Sequence, residues 1–136
     1  MRILLLCFFA LAFGSQAVAQ HQPPNAKDML SSRPGTIAVL RGLDKVSAET
    51  RDFEAPVNTP VHFGTLEITV NYCRKTPPEE TPEVYAFLTI KDRRTDGSGG
   101  NAEGEEIFSG WMFASNPALN ALEHPVYDVW VLDCKG

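Results

Sequence analysis

Ser109, Ser115, His124, Asp128 and Asp133 stand near the carboxyl end of the chain and supply the residue types of an acyl-transfer triad. Neither serine lies in a GxSxG turn, the elbow that would lift its hydroxyl toward a substrate, so a small hydrolase working through His124 is the least favoured reading. His124 precedes Pro125, where helical geometry is resisted, and it reads as a structural residue ending a helical turn. Glu79, Glu80 and Glu83 could furnish the paired carboxylates of glycoside cleavage. They are interleaved with Pro77, Pro78 and Pro82, and a solvated acidic surface on a stiff connection is the simpler account. The glycine-rich GSGGNAEG stretch has neither the lysine nor the following helix that a phosphate-cradling loop needs. No catalytic residue and no cofactor are assigned.

Cys73 and Cys134 each close a strongly apolar run. An even pair in an exported chain reads as a disulfide, which a loop of about 60 residues would make worth about 4 kcal/mol. Counting strand phase from Leu66 puts Cys73 on the polar side of its strand, so a strand end or a bulge is expected there. Cys73, Cys134, His62 and His124 have the types of a metal set but lack CxxC or HxxxH spacing, and no metal is assigned. Trp111, Trp130, Tyr85 and Tyr127 could stack on sugars or peptides if they faced outward. Their places inside strands favour core packing instead.

These groups must be positioned by strands. Thr36 to Thr50 alternates imperfectly around Gly42, as a bulged strand or two short strands meeting at a bend would. Phe53, Ala55 and Val57 form an edge strand, and Pro56 and Pro60 bracket a turn. In LEITVNYC, Leu66, Ile68, Val70 and Tyr72 take the buried face and Glu67, Thr69 and Asn71 the wet one. RKTPPEETPE is a rigid surface connection. VYAFLTIKD is apolar on both faces and belongs at the centre of a sheet, and DRRTDGSGGNAEGEE is a long polar loop. EEIFSGWMF resumes a strand. Pro117 opens a short helical turn whose apolar side, Ala118, Leu119, Ala121 and Leu122, packs as a lid, and VYDVWVLDC is a final core strand.

The amino terminus is a targeting segment: Met1-Arg2, the apolar run Ile3 to Phe13, which holds Cys7, and the small-x-small site Ala17-Val18-Ala19. That run is about half of the roughly 20 residues a spanning helix needs, so export with cleavage and no later membrane span is expected. Residues 1–19 are thus a signal peptide, 20–35 a polar leader containing His21, and 36–136 the folded domain. At 136 residues and 43% apolar content the chain supports one core. The formal charge of −5, with no basic stripe, disfavours nucleic acid as a partner.

The stretches CRKTPPEETPE, GWMFAS and ALEHPVYDVW, within a segment from about Val39 to Cys134, resemble the DUF2155 family of exported alphaproteobacterial proteins, a family without an assigned function. The resemblance implies an envelope location and the paired cysteines, and it implies no catalytic residue. The expected fold is all-β, a small sandwich or partly open barrel of about six to eight strands with one short helix before the last. The expected function is a periplasmic, non-enzymatic module that binds an envelope protein partner. The contact would run through Pro77, Pro78, Glu79 and Glu80 or through the region of Trp111, Tyr127 and Trp130. A glycan-binding domain is the alternative, and the oligomeric state is left open.

Overall fold

A computed structural model of the protein describes residues 31–94 and 104–136. The targeting segment, the leader up to residue 30 and positions 95–103 of the long polar loop lie outside the described residues. Eight strands occupy the rest: β1 (Arg33–Pro34), β2 (Ile37–Asp44), β3 (Glu49–Pro56), β4 (Val61–Phe63), β5 (Leu66–Lys75), β6 (Val84–Asp92), β7 (Glu105–Phe113) and β8 (Tyr127–Lys135). They form two antiparallel sheets that do not close into a barrel. One runs β1-β5-β6-β7, with β4 also paired to β5, and the other runs β3-β2-β8.

Alternation explains the packing. Leu66, Ile68 and Val70 of β5 and Ala86, Leu88 and Ile90 of β6 turn inward, where they meet Ala38, Leu40, Val129 and Val131 of the smaller sheet. The central position expected for Val84 to Asp92 holds, since β6 lies between β5 and β7. The last strand is different. Its inner face is buried, but β8 stands at the end of the smaller sheet and the central strand there is β2. The two apolar faces of β8 have a different cause: one packs into the core, and the other carries half-buried Trp130 on the outside.

Gly42 marks neither a bulge nor a bend. It sits in the run of β2, and the Phe63 ring lies where its side chain would be, with ring carbons 2.5 Å from an added methyl group. The imperfect alternation comes from a hairpin: β2 and β3 pair from Ile37↔Pro56 to Asp44↔Glu49 around a four-residue turn. Asp44 caps that turn by accepting from the Val46 and Ser47 amides, and Ala48 holds φ 59°.

Two one-residue bulges decide which way the cysteines face. Val70 pairs with Leu88 and Tyr72 with Phe87, so Asn71 is extra in β5. Leu40 pairs with Val131 and Val39 with Asp133, so Leu132 is extra in β8. Each insertion reverses the phase of the residues after it. Tyr72, expected beside Val70 on the buried face, is thrown outward and is 64% exposed. Cys73 and Cys134 are turned inward, and they join the two sheets by a disulfide with Cα atoms 5.9 Å apart.

Two further expectations are revised. Ser32 is buried, Arg33 and Pro34 pair with Lys75 and Arg74, and the Gly35 amide donates to the Cys73 carbonyl at 2.8 Å, so the end of the polar leader belongs to the domain. The helical turn is a 3-10 turn at Pro117–Asn120 with no buried residue, and Leu119 is 64% exposed. It is no lid. The apolar anchor of this connection is Leu122, beyond the turn.

Candidate functional site

The residues expected to do chemistry are dispersed by the fold. His124 is buried, stacked on the Tyr127 ring with centroids 5.3 Å apart. Its Nδ1 accepts from the Val126 and Tyr127 amides at 3.1 and 3.0 Å, which places the ring proton on Nε2, and Nε2–H faces Asp92 Oδ2 at 3.1 Å. Neither ring nitrogen is left to take a proton from a serine. Asp92 also accepts from the Thr65 hydroxyl at 2.7 Å and from the Arg94 guanidinium. Burial pushes the Asp92 carboxyl up, but the hydrogen bonds from Thr65, His124 and Arg94 outweigh it and hold the group below the usual carboxylate range. This dyad fastens the start of β8 to the end of β6. Ser115 donates its hydroxyl to Glu83 instead, and Ser109 pairs across strands with Thr89 on the outer face of the larger sheet. His62 is exposed beside Glu67, and the two cysteines are oxidised, so the mixed metal set does not assemble.

The stiff connection forms a wall. Residues 76–83 link β5 to β6, tied across their base by the Thr76 amide to the Glu83 carbonyl at 3.0 Å and by the Glu83 amide to the Thr76 hydroxyl at 2.8 Å. The Glu83 carboxylate turns back into the domain, where it accepts from the Val84 and Ser115 amides and the Ser115 hydroxyl. Burial alone would raise its pKa, and those donors, with the Ala114 amide, bring it below the usual range. Between this wall and the C-terminal end of β8 opens a cleft of about 570 Å³. Pro34, Pro77, Pro78, Pro82, Val84 and Leu132 give it apolar sides. Leu132 is the extra residue of the β8 bulge.

Charge in the cleft is nearly all committed. Lys75 Nζ meets Asp133 Oδ1 at 2.6 Å across the two sheets. Burial raises the Asp133 carboxyl, while the Lys75 ammonium and the Cys134 amide more than compensate and lower it. Arg33 lines the cleft, is exposed, and has no side-chain partner among the described residues. Glu79 and Glu80 do not line the cleft. They are exposed on the loop.

The aromatic residues expected as core divide between surfaces. Trp111 lies on the outer face of β7, 38% exposed, with Tyr72, Tyr85 and Phe87 rings 6.4, 5.7 and 5.4 Å from it. Tyr127 is half-buried against Phe63 and His124. Trp130 belongs to the smaller sheet and faces away from its buried neighbours Val129 and Val131. Trp111, Tyr127 and Trp130 therefore make no common platform. Sequence reasoning missed Asp92, Leu132 and the outward Tyr72. Asp92 was findable, because it continues the buried phase Val84, Ala86, Leu88, Ile90.

A bacterial family described as "Uncharacterized protein conserved in bacteria (DUF2155)" matches residues 38–134. The chain is also similar to uncharacterized protein RP359 of Rickettsia prowazekii (strain Madrid E), at 26% identity over 117 residues covering 84% of this chain and 72% of that protein. No solved structure matches.

Proposed function

The chain belongs to the DUF2155 family, and we propose that it is an exported, non-catalytic module of the periplasm that binds a protein partner in the proline-walled cleft. The observation that carries this reading is the cleft itself, about 570 Å³ with three prolines of one loop on its side. Proline fixes φ before binding, and Thr76 and Glu83 clamp the loop, so little ordering entropy remains to be lost on association. The occupant that fits is a short extended segment of another envelope protein, with an apolar side chain for the space between Pro78 and Leu132 and a carboxylate for Arg33. Arg33 supplies the one uncommitted side-chain charge among the described lining residues, and it is positive. The export reading rests on the amino-terminal segment, which has the n-region, apolar run and small-x-small site of a cleaved signal.

The test replaces Pro77, Pro78, Glu79 and Glu80 together by glycine and serine. Partner binding weakens while the unfolding midpoint shifts little, because the exposed loop adds little to the core. Unchanged binding removes the loop from the interface.

A further inference from the structure

The outer face of the larger sheet carries a pattern that the cleft reading leaves unused. Register places three residues side by side on β5, β6 and β7 in successive rows. Thr69, Thr89 and Ser109 form a row of hydroxyls, with the Asn71 amide accepting from Thr89 at 3.0 Å. Tyr72, Phe87 and Trp111 form the next row, and Arg74, Tyr85 and Phe113 the one after. Only the β5 bulge makes the middle row aromatic throughout, since regular alternation would have buried Tyr72. Phe87 and Tyr85 meet Trp111 edge-on, at 79° and 61°, and prop it, while Tyr72 lies within 28° of its plane. The only formal charge in these rows is Arg74, and it is taken up by the Ser32 hydroxyl and carbonyl.

We infer that this face is a second binding site, whose ligand is a neutral, β-linked N-acetylhexosamine chain. A pyranose ring has an apolar C–H face that lies on an aromatic ring and a hydroxyl edge that needs donors and acceptors beside it. Two residues along a strand span about 7 Å, which sets a hydroxyl row one sugar's width from an aromatic row. Among the described residues the three strands present an open face, bordered by Ser32 beside Arg74 and Tyr85, which suits an extended chain rather than an enclosed single sugar. The one formal charge within the three rows, Arg74, is turned onto the Ser32 hydroxyl and carbonyl, and the row beyond the hydroxyls, Glu67, Lys91 and Glu106, is of mixed sign, so the face presents no field of a single sign and suits a neutral ligand. The acetamido group joins a methyl to an amide, so it can use the aromatic row and the Thr69, Asn71, Thr89 and Ser109 groups together.

The experiment titrates the full-length mature protein carrying Trp130→Phe, which leaves Trp111 as the one reporter, with chitotetraose and with cellotetraose. Saturable fluorescence change with chitotetraose, insensitive to salt and at least about tenfold weaker with cellotetraose, is expected. Tyr72→Ala, at a largely exposed position, should weaken binding about tenfold, as loss of one stacking ring does. It should leave partner capture at the cleft unchanged, which separates this site from the protein-binding reading. Absence of saturation, equal affinity for the two sugars, or unaltered binding after Tyr72→Ala would overturn the proposal.

Discussion

His124 is held by every polar atom of its ring, and the consequence is structural. With His124→Ala, Asp92 keeps Thr65 and Arg94 but loses its buried donor, and the Val126 and Tyr127 amides lose their acceptor. The substitution should cost about 3 kcal/mol, read as a lower denaturant midpoint. Asp92, Glu83 and Asp133 all ionise below the usual carboxylate value in the folded chain. Their stabilisation is complete above that ordinary value, about pH 4, and is lost as pH falls through the folded values. Asp92→Asn should therefore lower stability at neutral pH and flatten the acid limb of the stability curve, whereas an unchanged acid limb would remove Asp92 from the account. At the β2–β3 turn, Ala48 is held at a left-handed φ of 59°, which strains a residue with a Cβ. Ala48→Gly relieves it and should raise stability by about 1 kcal/mol in equilibrium unfolding.

At the scale of elements, two inserted residues do most of the positioning. Asn71 is the inserted residue of β5, so deleting it makes the ladder regular while Val70 and Cys73 stay inward and Tyr72 outward. The variant should still close the Cys73–Cys134 bridge and show no free thiol in these two positions on alkylation and mass measurement. Two free thiols in the deletion variant would refute Asn71 as the inserted residue. Long strands were legible in the sequence because β5 alternates and β6 is apolar on both faces over a long run, and the off-phase Cys73 pointed to an irregularity. The same off-phase signal at Cys134, even-numbered against inward Val129 and Val131, was equally present and names the second bulge. Edge or centre was not legible for β8, since apolarity on both faces arises from an outer Trp130 as readily as from a sheet interior. Nor was the cleft, because Arg33, Pro78 and Leu132 meet only through pairings of strands far apart in sequence.

For the whole molecule, one covalent tie and one salt bridge join the sheets at the cleft end, Cys73–Cys134 and Lys75–Asp133. The exposed ion pair contributes less than about 1 kcal/mol. The disulfide contributes about 4 kcal/mol by loop closure, so Cys73→Ala with Cys134→Ala should unfold at correspondingly lower denaturant. The cleft floor is thus held by the element most costly to break, while the opposite end of β2 leads into the hairpin turn, where Val46 is exposed. That contrast provides the most direct measurement: a photo-reactive residue placed at position 78, or at position 46 as the remote control, in tagged protein expressed in its native cells. One dominant envelope protein should be captured from position 78, be absent from position 46, and be lost when Arg33→Glu reverses the charge in the cleft. Equal capture from both positions, or capture from 78 that Arg33→Glu leaves intact, would contradict partner binding in the cleft.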